Sequence, residues 1–323
     1  MNAAVIGVGN MGQHHARNYS ELSDVNLVAV ADLNEAHGKE LAERFKCKYY
    51  KNYQDMLEKE KIDVVTIAVP TKFHKDVALA CVKKGINILL EKPIAGTVAE
   101  AKQIVAKAKE AGVKFTVGHI ERFNPAVIQL KKMIDKGELG EIVAVRNTRI
   151  GPMPPQIKDA NVVIDIGVHD IDLINWFYGK LPTQIMATGG NALNKSQQDY
   201  VDVFLKYGQA SGMVQANWIT PAKIRHLSVC GTKGHAELNF ITQELTMYES
   251  QYSLEYDSFG EFVIKFGELK DQKTIPVDNV EPLKAEIMSF IEAIKKDKTP
   301  VVTAREAIEA LDIACKIDKL IKK

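Results

Sequence analysis

An α/β fold whose N-terminal part is a doubly wound parallel sheet is predicted by three features of the chain. A continuously apolar run at residues 3–6 and mostly apolar runs at 26–31, 63–69, 86–90 and 114–117 have the character of parallel strands buried in a sheet. Segments of helical period separate them, and that alternation implies right-handed crossovers within one sheet. A glycine loop, Gly7-Val8-Gly9-Asn10-Met11-Gly12, follows the first run at once and opens the first helix. At 323 residues the chain is too long for one typical core. Two domains are therefore expected, 1–120 and 121–323, with the last helix returning to the first.

The first predicted helix covers about 12–22, and the second strand ends at Asp32. Residues 35–45 form a helix with Leu41, Ala42 and Phe45 at helical spacing. The strand at 63–69 is closed by Pro70. The helix at 75–84 stops at Gly85, a good C-terminal cap, and the helix at 98–111 stops at Gly112. Past residue 120 the rhythm changes. Asn124-Pro125 reads as an N-cap followed by proline at the first helical position, opening a helix to about 136. Strand-like runs follow at 141–150, 183–189, 200–207, 212–219, 225–230, 235–240, 244–248 and 261–266, many joined by short turns such as Tyr207-Gly208-Gln209. These suit a large antiparallel or mixed sheet. One helix interrupts them at 165–177, and two close the chain at 282–296 and 303–322.

Composition narrows the function. The chain is 46% hydrophobic and 26% charged, with a formal net charge of +1. No broad field exists to gather nucleic acid or anionic lipid, so neither partner is expected. Cys47, Cys81, Cys230 and Cys315 are scattered without a C-x-x-C pair, which supports neither a metal site nor a disulfide framework and fits a reducing compartment. No apolar run is long enough to span a bilayer and no signal peptide is read, so a cytoplasmic protein is expected.

The glycine loop has the register of a dinucleotide site. Gly7 permits a tight turn, Gly9 lets backbone approach a pyrophosphate, and Gly12 allows close helix–strand packing. The amides at the helix start then face the phosphates. Asp32, 20 residues past Gly12, stands where a carboxylate accepts from ribose hydroxyls and repels a 2′-phosphate. Leu33 and Asn34 offer no arginine for that phosphate, so NAD is expected rather than NADP.

Three residues suit the loss of a proton and a hydride from a secondary alcohol. Lys92 ends a buried strand, where ligands of doubly wound sheets bind, and Pro93 stiffens its backbone. Asp165 and His169 lie four apart on a predicted helix and so share a face. Histidine titrates near neutrality and suits the proton step. Lysine stabilises a developing alkoxide, and a nearby carboxylate orients the imidazole. Taken separately, each also has a plain structural reading: a surface lysine, a packed histidine, a helix cap.

Together these motifs resemble the Gfo/Idh/MocA oxidoreductases along essentially the whole chain: Gly7–Gly12, Asp32, Val69-Pro70-Thr71 with His74, Glu91-Lys92-Pro93, and Asp165-x-x-x-His169. The resemblance implies a Rossmann domain followed by an α/β domain with a large open, mostly antiparallel sheet, and a homodimer or homotetramer joined through that sheet. It places Asn10, Met11, Pro70, His74, Glu91 and Lys92 beside the cofactor with the glycines and Asp32. It makes Lys92, Asp165 and His169 catalytic, leaving open whether His169 or Lys92 accepts the proton. Gly118-His119-Ile120-Glu121-Arg122-Phe123-Asn124-Pro125 resembles the branch that oxidises the 3-hydroxyl of UDP-N-acetylglucosamine or its uronic acid, which implies that Arg122, Asn124, Asp165 and His169 bind substrate. For Arg122 a salt bridge, and for Asn124 helix capping, are the alternatives. Arg146, Arg149, Lys223 and Arg225 are candidate diphosphate ligands, or solvated strand charges. A free polyol such as inositol is the other substrate reading, and a non-catalytic NAD-binding sensor is the reading from another class.

Overall fold

Strand β1 (Asn2–Ile6) and strand β4 (Val64–Ile67) lie side by side at the centre of a six-stranded parallel sheet, and nearly all their residues are buried. In this computed structural model, described for residues 1–153, 161–249, 252–256, 262–266 and 272–322, the sheet order is β3-β2-β1-β4-β5-β6. Its other strands are β2 (Asn26–Ala31), β3 (Lys48–Tyr50), β5 (Asn87–Leu90) and β6 (Phe115–Val117). Helices α1 (Gly12–Glu21), α2 (Glu35–Arg44), α3 (Tyr53–Lys59), α4 (His74–Lys83) and α5 (Val98–Glu110) form the crossovers. Chain order reverses between β1 and β4, and a doubly wound sheet binds ligands outside the strand ends at that switch point.

Residues 1–123 and 281–315 form one compact unit, and residues 124–280 and 316–323 another. The first unit therefore includes helix α8 (Pro282–Lys295) as well as most of helix α9 (Ala304–Ile321). Leu283, Ile287, Phe290 and Ile291 of α8 join Ala16, Tyr19 and Leu27 in one core cluster. Glu281 ties the start of α8 to α1, accepting from Arg17 at 2.5 Å and from Asn18 at 3.1 Å.

In the second unit α6 (Pro125–Asp135) and α7 (Val168–Tyr178) pack on a sheet of eight strands. The strands are β7 (Ile142–Pro152), β8 (Gln184–Gly190), β9 (Tyr200–Tyr207), β10 (Ala210–Asn217), β11 (Ile219–Gly231), β12 (Gly234–Asn239), β13 (Glu244–Glu249) and β16 (Gln272–Ile275). Their order is β16-β13-β12-β11-β7-β10-β9-β8, antiparallel except for β7 and β10. A separate hairpin pairs β14 (Tyr252–Tyr256) with β15 (Phe262–Phe266). Val201, Val203, Leu205 and Tyr207 of β9 point to the core, as period-2 alternation requires. Met186, Phe204 and Met213 form a cross-strand row on the opposite face, with Met186 and Met213 exposed. Among the described residues, no helix is long and apolar enough to cross a membrane.

The predicted helix at 165–177 starts differently from expectation. A π-helical turn, Val163–Gly167, precedes α7, and the side-chain oxygen of Asn161 accepts the Ile164 amide at 3.0 Å. Asn161, not Asp165, provides that side-chain cap. Asp165 stands on the π turn and His169 is the second residue of α7, so the two remain close to one face of the helical segment.

Candidate active site

The glycine loop has the shape that a dinucleotide requires. Gly7 takes φ +82°, and a Cβ on Gly12 would sit 1.8 Å from the Gly7 carbonyl oxygen, so neither position accepts a side chain. Gly9 is exposed and a Cβ there would meet nothing within 4 Å, which leaves its backbone open to a ligand. Asn10 is exposed beside it, and Met11 is the N-cap residue just before α1. The Asp32 carboxylate binds the loop to the end of β2: Oδ2 accepts the Val8 amide and Oδ1 accepts the Asn34 amide, each at 2.8 Å. Tyr49 donates to the Asp32 carbonyl at 3.0 Å. A cleft of about 430 Å³ opens here, lined among others by Gly7, Gly9, Asp32, Lys51, Tyr53, Pro70 and Phe73. Open backbone amides, a carboxylate and an apolar wall fit the phosphates, ribose and base of NAD.

Lys92 follows β5, is half-buried, and is joined to Pro93 by a cis peptide. Two buried side chains hold this turn. His74 is 1% exposed, with Nδ1 2.9 Å from the Pro93 carbonyl and Nε2 2.9 Å from the Val69 carbonyl. It braces the loop that carries Pro70 against the lysine turn, and burial holds its pKa below the ordinary histidine value despite those carbonyls. Glu91 accepts from His15 at 2.8 Å and from the Lys92 amide at 3.2 Å. Burial pushes the Glu91 carboxyl up, but the His15 hydrogen bond, the Lys92 charge and the Lys92 amide together hold it below the usual carboxylate value.

The other predicted residues fall into two groups. Asp165 is half-buried and His169 is 9% exposed, both in the second unit. Arg122 is buried on a short 3-10 turn, Ile120–Phe123, and its Nη1 donates to Glu306 Oε1 at 2.8 Å within the first unit. Asn124 caps α6, accepting the Ala126 amide at 3.1 Å, and also donates to the Phe240 carbonyl at 3.4 Å. Arg149 is 6% exposed and donates Nε to both oxygens of Asp170, at 2.9 and 3.2 Å, with its guanidinium 4.7 Å from the Phe240 ring centroid. That arginine is a buried ion pair rather than a solvated strand charge. Arg225 donates to the Ile150 carbonyl at 2.6 Å.

Residues 1–119 match the family model described as an oxidoreductase family with an NAD-binding Rossmann fold, and residues 127–237 match the GFO/IDH/MocA C-terminal domain. The chain belongs to the Gfo/Idh/MocA family. It is an NAD-dependent oxidoreductase of that family's sugar and polyol dehydrogenase type. It is 28% identical over 327 residues to scyllo-inositol 2-dehydrogenase (NAD(+)) of Bacillus subtilis, covering 97% of this chain and 92% of that protein. It is 27% identical to UDP-N-acetylglucosamine 3-dehydrogenase of Acidithiobacillus ferrooxidans over 77% of each chain. A solved structure of that enzyme superposes with a TM-score of 0.86 at 23% identity, covering 100% of this chain and 98% of the other, which shows a shared fold.

Sequence reasoning did not find His15, or the segment from Lys48 to Lys59 that builds part of the cleft. The His15–Glu91 pair spans 76 positions, and no local pattern announces such a partner.

Proposed function

We propose that this enzyme oxidises a secondary hydroxyl of a sugar ring, the 3-hydroxyl of UDP-N-acetylglucosamine or of its uronic acid. The observation that carries the chemistry is the lysine held just past the carboxyl end of β5, one strand from the switch point, in the unit that carries the dinucleotide loop. When bound, NAD supplies the hydride acceptor. The roles of the chain's own groups follow from their chemistry. The Lys92 ammonium hydrogen-bonds the substrate oxygen and stabilises negative charge as the C–H bond breaks. The His169 imidazole accepts the hydroxyl proton, and Asp165, one helical turn earlier, orients the ring.

The nucleotide-sugar reading rests on residues 118–125 and on the 27% identical relative. Within that segment Arg122 is also paired with Glu306, and Asn124 also caps α6. A free polyol is the second reading, favoured by the relative named for scyllo-inositol, which aligns along nearly the whole chain.

Incubating the protein with NAD and, in turn, UDP-N-acetylglucosamine, its uronic acid, myo-inositol and scyllo-inositol, while following NADH absorbance, separates these. Turnover with an inositol and none with either UDP-sugar would reject the proposed substrate. With the productive alcohol, Lys92→Ala and His169→Ala should each lose roughly 10²–10⁴ in turnover. No turnover with any alcohol, together with intact NADH binding, would favour the sensor reading.

A further inference from the structure

His15 lies three residues beyond Gly12 on α1 and is fully buried. Its Nδ1 is 3.4 Å from Thr66 Oγ1, and that oxygen is 3.0 Å from the Tyr19 hydroxyl. Its Nε2 is 2.8 Å from Glu91 Oε1, while Glu91 Oε2 accepts the Lys92 amide. A buried polar chain thus runs from Tyr19 through Thr66 and His15 to Glu91, and ends on the backbone of the proposed catalytic lysine. Its members come from α1, from β4 and from the residue after β5.

The direction of the hydrogens follows from the acceptor at its end. Glu91 is held below the usual carboxylate value and is ionised at neutral pH, so it only accepts. His15 Nε2 must therefore carry the hydrogen. With Tyr19 donating to Thr66 and Thr66 to Nδ1, every group in the chain is satisfied by one hydrogen. Burial pushes the Tyr19 pKa up, which keeps its hydroxyl a donor. The Glu91 carboxylate is also boxed in, since a Cβ on Gly118 would lie 3.2 Å from it.

We propose that His15 is a positioning residue: through Glu91 it fixes the backbone of Lys92, so that the helix leaving the glycine loop and the lysine turn are set as one piece. The consequence for turnover rests on the catalytic reading of Lys92, but the positioning itself does not. Two polar variants separate the bonds. The His15→Gln amide reaches the position of Nε2 and keeps a donor to Glu91, whereas the shorter His15→Asn amide mimics Nδ1 and leaves Glu91 without it.

The test records the Lys92 backbone amide by ¹⁵N NMR, alongside NADH binding by fluorescence and turnover with the productive alcohol. Expected are a Lys92 amide resonance retained in His15→Gln and displaced in His15→Asn. Turnover in His15→Asn should fall roughly 10- to 100-fold, as a misplaced reacting group does, with NADH affinity changed less than threefold. His15→Gln should recover most of the rate. Identical Lys92 resonances in the wild type and His15→Asn, or identical behaviour of the two variants, would overturn the proposal. A displaced amide in His15→Asn with Lys92→Ala fully active would instead uphold the positioning and refute the catalytic role of Lys92.

Discussion

Glu286 and Glu91 are two buried carboxyls of the same unit, and only Glu91 is hydrogen-bonded among the described residues. Glu286 projects from α8 at 1% exposure with neither oxygen partnered among those residues. Burial, and then the Glu91 charge, push its pKa well above the ordinary value. A neutral Glu286 beside an ionised Glu91 avoids placing two anions in one low-dielectric region.

That asymmetry gives a pH dependence. The folded chain retains a proton on Glu286 that the unfolded chain releases near pH 4, so stability falls as pH rises through the window up to the folded pKa. The slope is at most about 1.4 kcal/mol per pH unit. Glu286→Gln removes this cost. Its urea midpoint should exceed the wild type's at pH 7–8, and the two should converge toward pH 4. Parallel curves across the whole range would contradict the assignment.

Arg122 allows a direct choice between a structural and a substrate-binding role. Its partner Glu306 also closes a capping box at the start of α9, accepting the Thr303 amide at 2.9 Å while Thr303 Oγ1 accepts the Glu306 amide at 3.3 Å. Burial raises the Glu306 pKa, but the Arg122 charge and the Thr303 and Arg122 hydrogen bonds outweigh it and hold the carboxyl below its usual value. Breaking a fully buried pair costs about 3–5 kcal/mol. The Glu306 side chain is 31% exposed, so solvent screening reduces this to about 1–3 kcal/mol. Arg122→Met should lower the urea midpoint accordingly at pH 7. Because Glu306 contributes above the ordinary carboxylate pKa and loses that contribution as pH falls through its lower folded value, the gap should shrink below about pH 4. A raised substrate KM with an unchanged midpoint would mark a ligand-binding arginine instead.

The legibility of this molecule divides by sequence distance. The glycine loop and Asp32 were readable because their chemistry is local: a strand, a turn, a helix and the next strand end, all within 32 residues. The strongest strands are legible because residues buried on both faces, such as those of β4, leave largely apolar runs. β3 and α3 were missed because three- and seven-residue elements are too short for periodicity to emerge, yet Lys51 and Tyr53 line the cleft. The π turn before α7 escaped for another reason: one extra residue per turn barely alters an apolar pattern. The partners of Arg122 and His15 lie 184 and 76 positions away, and only the fold brings them together. The Gly151-Pro152-Met153-Pro154-Pro155 loop reads in sequence either as a gate over the site or as a plain connection, and its Pro154 and Pro155 lie outside the described residues.

Asp32 illustrates how a residue chosen for ligand chemistry also holds its own loop. An ionised carboxylate offers about four lone-pair sites. The Val8 and Asn34 amides use two, which leaves two that ribose hydroxyls would use if the carboxylate holds them as the sequence implies. Asp32→Asn is nearly isosteric, but its amide nitrogen must face one of those two backbone N–H groups, donor against donor. The substitution should therefore loosen the turn as well as remove the charge. Losing one hydrogen bond to a charged group costs about 1.5–3 kcal/mol, which is roughly a tenfold or greater rise in the NADH dissociation constant. NADPH should gain relative to NADH, because the repulsion of its 2′-phosphate disappears, although neither cofactor should bind as tightly as NADH binds the wild type. Fluorescence titration of both cofactors measures this directly. An unchanged NADH affinity in Asp32→Asn would mean that the carboxylate only fastens the loop and that cofactor selection resides elsewhere in the cleft.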